Sequence, residues 1–291
     1  MPVLDDTFSR PGSVVSLLRT TIGLYLRQCG GWMPAKSLTD LMEVLDVPVA
    51  LTRTALTRLK QKGVLTAEVQ AGAKGYALSD EAAVLFSRGD RRINFPRNMQ
   101  PDDAWCLISF SVPESQRERR HQLRRHLSWI GCGTVAPGLW VCPDFLREEV
   151  TVILRDLNLQ RHAVLFTTQT PEVTGDIRET VSKWWDLDHL ADLHREFIAE
   201  YSAVTTGYVP TEAGTFATYV KCIDRWRVIP YVDPGLPSYC LPDEWPGGPC
   251  TDLFQSIRHS HETPSLEFVR TLLPGNPGEV AIEGPALPSI P

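Results

Sequence analysis

The sequence predicts an α+β protein made of three successive units, and three observations carry that prediction. Apolar residues recur at helical spacing through the first sixty positions and then give way to a strand, a turn and a strand. Between residues 105 and 168 strand and helix patterns alternate in the order β-α-β-β-α-β. Beyond residue 173 the pattern is helical again, broken by a segment dense in proline. A length of 291 residues suits several ordinary cores better than one. The expected boundaries are 1–89, a linker at 90–101, 102–172, 173–270 and a disordered tail at 271–291.

In the first unit Ser13 caps a helix from Val14 to Leu26, with Val14, Leu17, Leu18, Ile22, Tyr25 and Leu26 at helical spacing until Gly30 and Gly31 stop it. A second helix is expected to start at Ser37, where Asp40 imitates a capping box, and to run through Leu38, Leu41, Met42 and Leu45 to the turn at Asp46, Val47 and Pro48. A third runs from Pro48 to Lys62 and ends at Gly63. Its inward stripe is Leu51, Ala55, Leu56 and Leu59, which turns Arg53, Thr54, Thr57, Arg58, Lys60 and Gln61 outward. Helix, tight turn and basic helix is the helix-turn-helix order, in which Arg reads guanine edges and hydroxyls grip phosphate. A Thr/Arg/Lys face alone equally describes a solvated surface. The strands expected at Val64–Val69 and Tyr76–Leu78, joined by a turn over Gln70–Gly75 and followed by a helix capped by Ser79, tip the reading to a winged helix-turn-helix with Lys74 in the wing.

The segment from Asp90 to Pro101 is polar and basic with two prolines, the composition of a linker. After it come a strand at Trp105–Val112, a basic helix at Ser115–Ile130, strands between Gly133 and Cys142, a helix at Asp144–Leu157 and a strand at Ala163–Thr168, a ferredoxin-like order. Arg117, Arg119, Arg120, Arg124 and Arg125, with Glu114 and Glu118, read as a salt-bridged helix surface, with a dimer or phosphate contact as the alternative. In the last third one long helix is expected over Ile177–Ala203 and another over Glu212–Trp226. Asp188, His189, Asp192 and Glu196 share a face of the first of these. Charges flanking an apolar stripe are the simpler account of them than metal ligation, and His121, His126, His259 and His261 are read in the same way. Tyr231, Leu236, Leu241 and Trp245 call for burial although the prolines around them forbid regular structure, so an ordered loop packed on helices is expected.

Composition narrows the function. No apolar run approaches bilayer length, and the acidic N-terminus lacks the order of a signal peptide, so a cytoplasmic protein is expected. Seven cysteines without a C-x-x-C read as small buried hydrophobes. The formal charge of −6 divides into +4 over residues 1–100 and −10 over the rest, so only the first third has the sign that DNA attracts. So small a basic domain offers few phosphate contacts, which favours a homodimer on an inverted repeat. There is no G-x-S-x-G, no glycine-rich phosphate loop and no H-E-x-x-H. Neither catalysis, nor a metal, nor a cofactor is expected.

Residues 53–65, RTALTRLKQKGVL, and 75–79, GYALS, resemble the N-terminal domain of the PaaX family of phenylacetate-catabolism repressors. One departure is Pro48, where comparable helices have a Ser or Thr cap. The run WCLISFSVPE at 105–114, the arginine pairs 119–120 and 124–125, and GCG at 131–133 with GLWV at 138–141 resemble the family's central domain. That domain is similar to the small CRISPR-adaptation nucleases, which hold a divalent metal on an Asp at the end of the first strand; Ser109, Phe110 and Ser111 stand there in this sequence, which argues against a nuclease. The patterns D-P-x-L-P at 233–237 and L-P-x-x-W-x-G at 241–247 resemble the C-terminal signature. The resemblance implies a DNA-binding regulator, a repressor released from an operator by an aryl-CoA thioester such as phenylacetyl-CoA. Recognition then falls to Arg53, Thr54, Thr57, Arg58, Lys60 and Lys74. The effector would bind between the central and C-terminal domains, its ring against Trp184, Trp226, Tyr231 or Trp245 and its phosphates near Arg225, Arg227 or Arg258. A protein–protein adaptor, or a CoA-ester-handling enzyme, that retains a degenerate winged helix is the alternative.

Overall fold

The computed structural model describes residues 9–169, 171–205 and 211–273. The first helix, α1 (Val14–Thr21), is capped by the Ser13 hydroxyl, which accepts from Ser16 N at 3.3 Å. It continues through a π turn at Ile22–Leu26 and a tight turn at Arg27–Cys29 to Gly30, whose φ of 83° ends it. A three-residue strand, β1 (Trp32–Pro34), follows and leads directly into α2 (Ala35–Val44). This helix starts two residues before Ser37, so the expected capping box is not formed. Ser37 is buried and donates instead to Leu272 O at 2.9 Å, while Asp40 pairs with Lys36. The third helix, α3 (Val49–Gln61), begins after Pro48.

The wing is longer than expected: β2 (Leu65–Gln70) and β3 (Ala73–Leu78) are joined by the two residues Ala71 and Gly72, both at positive φ. A two-residue turn of that hand suits the twist of the flanking strands, but Ala-Gly is a weak sequence signal for it. The sheet order is β1-β3-β2. Gly75 makes the third strand possible, since a Cβ there would lie 2.3 Å from Met33 O and 2.4 Å from the Trp32 indole. Then α4 (Asp80–Asn94), capped by Ser79, absorbs the first five residues of the segment read as a linker.

The central unit comprises β4 (Trp105–Phe110), α5 (Arg117–Trp129), β5 (Gly133–Ala136), β6 (Leu139–Pro143), α6 (Arg147–Asp156) and β7 (Ala163–Thr168). Its antiparallel sheet has the order β5-β6-β4-β7, with the strands of the β5–β6 hairpin lying together and the last strand beside the first. Cys106 and Ile108 on one face meet Leu123, Leu127 and Val150 of the two helices. Trp105 and Val141 on the other face meet Trp185, Leu236, Cys240 and Leu241.

The C-terminal unit contains α7 (Ile177–Trp184), α8 (Leu187–Tyr201), α9 (Glu212–Trp226), α10 (Ile229–Val232) and α11 (Gly247–Thr271). The single helix expected over 177–203 breaks at Trp185, which is extended and sends its indole into the central sheet. There Nε1 donates to Gly131 O at 2.9 Å and the ring lies 6.3 Å from Trp105. Asp186 then caps α8 by accepting from His189 N at 3.1 Å. Burial of one tryptophan outweighs the helical spacing on either side of it. The expected tail at 271–291 falls outside the described residues beyond 273.

The largest apolar core is shared. Leu18, Ile22, Leu38, Leu56 and Leu59 from α1 to α3 are continuous with Phe197, Phe216, Tyr219, Phe254 and Ile257 from α8, α9 and α11. Six of the seven cysteines are buried, Cys29 is half-buried, and all are free thiols. Among the described residues no helix is long and apolar enough to cross a membrane.

Candidate nucleic-acid interface and interdomain cleft

On α3 the buried side chains are Thr52, Ala55, Leu56 and Leu59. Leu51, read from the sequence as part of the inward stripe, is 50% exposed, and Thr52 takes the inward place with its hydroxyl donating to Pro48 O. Ala55, Leu56 and Leu59 face inward as expected, so the difference is confined to the first turn, where the Thr52 hydroxyl finds a backbone carbonyl. Arg53, Thr54, Thr57, Arg58, Lys60 and Gln61 are all exposed. The Thr54 and Thr57 hydroxyls donate to Ala50 O and Arg53 O, each at 3.0 Å. Arg53, Arg58 and Lys60 enter no ion pair among the described residues, which leaves three positive charges facing solvent on one short helix. Lys74 is exposed on β3, opposite Val69 near the tip of the wing. A protruding helix with unpaired cations beside a two-stranded ribbon can lie in a major groove while the ribbon reaches the phosphates alongside.

This unit is fixed to the far end of the chain through Asp224 of α9, which is 1% exposed. Its carboxylate accepts from Gly12 N at 2.7 Å, the Ser16 hydroxyl at 2.5 Å, the Thr20 hydroxyl at 2.9 Å and Arg227 Nε at 3.1 Å. Arg227, itself 8% exposed, donates further to the Ser16 hydroxyl and to Ser9. A buried charge pair is tolerable when every remaining donor and acceptor is met, and this one bridges the first helix and the ninth.

A cleft of about 1480 Å³ opens where the three units meet. The end of α4 and residues 95–101 form one wall, α5 and α6 the second, and α10 with the proline-rich segment the third. Tyr231 projects into the junction: its ring stacks on Trp129 of α5 at 5.8 Å and lies under the Arg92 guanidinium of α4 at 4.7 Å. Burial pushes the Tyr231 phenol above its ordinary pKa, against the opposing pull of Arg92. At the other end His194, 3% exposed, is held by Asp233 through Nε2 and Oδ2 at 2.7 Å with its ring edge-on to Trp245. The second Asp233 oxygen accepts from Gly235 N at 2.8 Å.

Of the residues expected to meet an effector, Trp226, Tyr231 and Trp245 line this cleft. Trp226 is 1% exposed, stacked on Phe254 at 4.3 Å and donating to Ile93 O. Trp184 packs against Trp185. Arg225 pairs with Glu196 and Glu200, Arg227 with Asp224, and Arg258 with Glu262 while lying over Phe95. Arg92, Trp129 and His194 are not among the residues expected at the site, and Asp233 is legible only as the first residue of the D-P-x-L-P pattern, since these four come together only through the packing of separate units. Among the described residues no group of three or more His, Cys, Asp or Glu side chains is placed to hold a metal ion.

A winged helix-turn-helix carried on a ferredoxin-like sheet and a helical C-terminal unit defines a three-part class of protein, and comparison places this chain within it. Models of the PaaX-like protein match residues 13–82, of the PaaX central Cas2-like domain residues 98–181, and of the PaaX-like C-terminal domain residues 185–271. The chain belongs to the PaaX family. The transcriptional repressor PaaX of Escherichia coli is 26% identical, with 94% of this chain and 88% of that protein covered. An uncharacterized Mycobacterium tuberculosis protein of solved structure shares the fold, with a TM-score of 0.54 and 19% identity over 87% of this chain and 97% of that one.

Proposed function

We propose that this chain is a DNA-binding transcriptional repressor that acts as a homodimer on an inverted repeat and is released by an aryl-CoA thioester. The observation that carries the DNA-binding reading is the exposed face of α3, where Arg53, Arg58 and Lys60 have no acidic partner among the described residues. The name of the Escherichia coli relative supports the repressor reading. The aryl-CoA part rests on the family resemblance and on the cleft, which is roomy, aromatic and contiguous with the last helix of the DNA-binding unit. Burial, with Asp233 adding to it, pushes the Cys250 thiol up to about 12, which argues against Cys250 as a nucleophile. A gel shift with DNA from the adjacent promoter, repeated with phenylacetyl-CoA, tests the reading. Loss of the shifted band on addition of the thioester is the expected result. A protein that shifts no promoter fragment is not a repressor, and hydrolysis of the thioester would make it an enzyme.

A further inference from the structure

The three units of the fold are not three mechanical bodies. The DNA-binding helices and the C-terminal helices share one apolar core and the buried Asp224 network, so they are joined as firmly as the interior of a single domain. The central unit has its own core between its sheet and α5 and α6, and the other face of its sheet packs on Trp185, Leu236, Cys240 and Leu241 of the C-terminal unit. Beside the cleft, where Trp129 stacks on Tyr231, one side chain bonds to all three units. Arg92, 11% exposed at its side chain, belongs to α4 of the DNA-binding unit. It donates to Pro230 O at 2.9 Å and Tyr231 O at 3.2 Å in the C-terminal unit, and to Ile130 O at 2.7 Å in the central unit. It also pairs with Glu149 of the central helix α6 at 2.5 Å and lies over the Tyr231 ring. Those carbonyls end the helices α5 and α10, where oriented backbone dipoles leave partial negative charge that a planar guanidinium answers in several directions at once. Lysine cannot reproduce that fan of donors.

We propose that Arg92 is the positioning residue that couples the cleft to the DNA-binding unit. It latches the central unit against the fused body, and a ligand that fills the cleft shifts DNA affinity by contesting this latch. Arg92, Glu149, Pro230, Tyr231 and Ile130 all line the cleft, so an occupant wedged there meets the latch directly. The regulatory half of the proposal rests on the aryl-CoA reading, whereas the latch itself rests on geometry alone.

Two measurements on the full chain separate the two halves. Amide hydrogen exchange without ligand reports the latch, because opening of a contact shows as faster exchange in the segments it protects. In Arg92→Gln, peptides covering 128–133 and 228–236 should exchange faster than in wild type, and those covering 14–21 and 216–226 should keep the wild-type rate. Unchanged junction peptides, or equal acceleration throughout, would overturn the latch. Operator and phenylacetyl-CoA titrations report the coupling: where the thioester weakens operator binding of the wild type by roughly 5- to 150-fold, Arg92→Gln should still bind both ligands with that factor reduced to about 1. Arg92→Lys should fall between. An unaltered factor in Arg92→Gln refutes the coupling role. A wild type that binds no aryl-CoA instead refutes the effector reading and the coupling drawn from it, and the exchange experiment then decides the latch. Should Arg92→Gln not fold, Glu149→Gln removes the ion pair and leaves the carbonyl contacts, and the same junction peptides must still accelerate.

Discussion

Replacing Asp224 by alanine tests how the DNA-binding unit is held. The substitution removes one acceptor from four donors, the Gly12 amide, the Ser16 and Thr20 hydroxyls and Arg227 Nε, at a site 1% exposed. Arg227, 8% exposed, loses the Asp224 carboxylate and keeps its bonds to Ser9 and Ser16. Removing one partner of a buried pair costs about 3–5 kcal/mol, and here four buried donors lose the acceptor they share. Urea unfolding followed by tryptophan fluorescence should show that loss as a lowered midpoint with an unchanged slope. Because Asp224 and Arg227 share the site, Asp224→Ala combined with Arg227→Met should be less destabilised than the sum of the two single changes. Asp224→Asn, which keeps an acceptor oxygen, should fall between wild type and alanine. A loss below about 1 kcal/mol in Asp224→Ala would place the pair with solvent-screened ones and refute the view that it clamps α1 to α9.

Other perturbations test other parts. Arg53→Ala or Arg58→Ala should cost about 1–3 kcal/mol of operator affinity and relax preference at one base pair, whereas Lys74→Ala should weaken all sequences alike and lower the salt slope, as read by binding isotherms at several ionic strengths. Sedimentation should give a dimer on operator DNA with half-sites about 34 Å apart or a multiple of that, and a monomer with and without DNA would contradict it. Gly235→Ala should lower stability by roughly 1–3 kcal/mol in thermal unfolding, because φ is +67° and the new Cβ would lie 2.3 Å from Arg97 O. Burial lowers the pKa of His261, so the unfolded chain takes up that proton first and stability should fall as pH drops through about 6.5 toward the folded-state value. His261→Gln should flatten that fall in urea midpoints measured across the same pH range.

The readable parts of the sequence were those governed by local chemistry. The Ser13 and Ser79 hydroxyls cap the helices they precede, Gly30 and Gly63 stand after helix ends in left-handed backbone, and α9 spans Glu212–Trp226 as its spacing predicts. The misread parts were decided by distant partners. Ser37 bonds to a carbonyl 235 residues away, so its likeness to a cap was accidental. Trp185 breaks a helix to reach the central sheet. The strand β1 is three residues long and exists because β3 passes beside it at Gly75. The cationic face of α3 was visible because a helix surface follows from spacing. The Arg92 junction was not, because its partners lie 38, 57, 138 and 139 residues away in sequence.

The shared core also has a consequence for synthesis. The Tyr25 hydroxyl meets Ser265, a separation of 240 residues, which at about 5–20 residues per second takes roughly 12–48 s to translate. Leu18 and Ile22 wait equally long for Phe254 and Ile257. The rule that the N-terminal unit folds first on the ribosome therefore fails for this chain: the central sheet can close while the nascent DNA-binding helices still present their apolar faces to whatever surrounds them. An early stop codon would release a protein that keeps the recognition helix in its sequence but lacks the last helix needed to hold it in place, a truncated product that is prey for proteases rather than a dominant competitor for DNA.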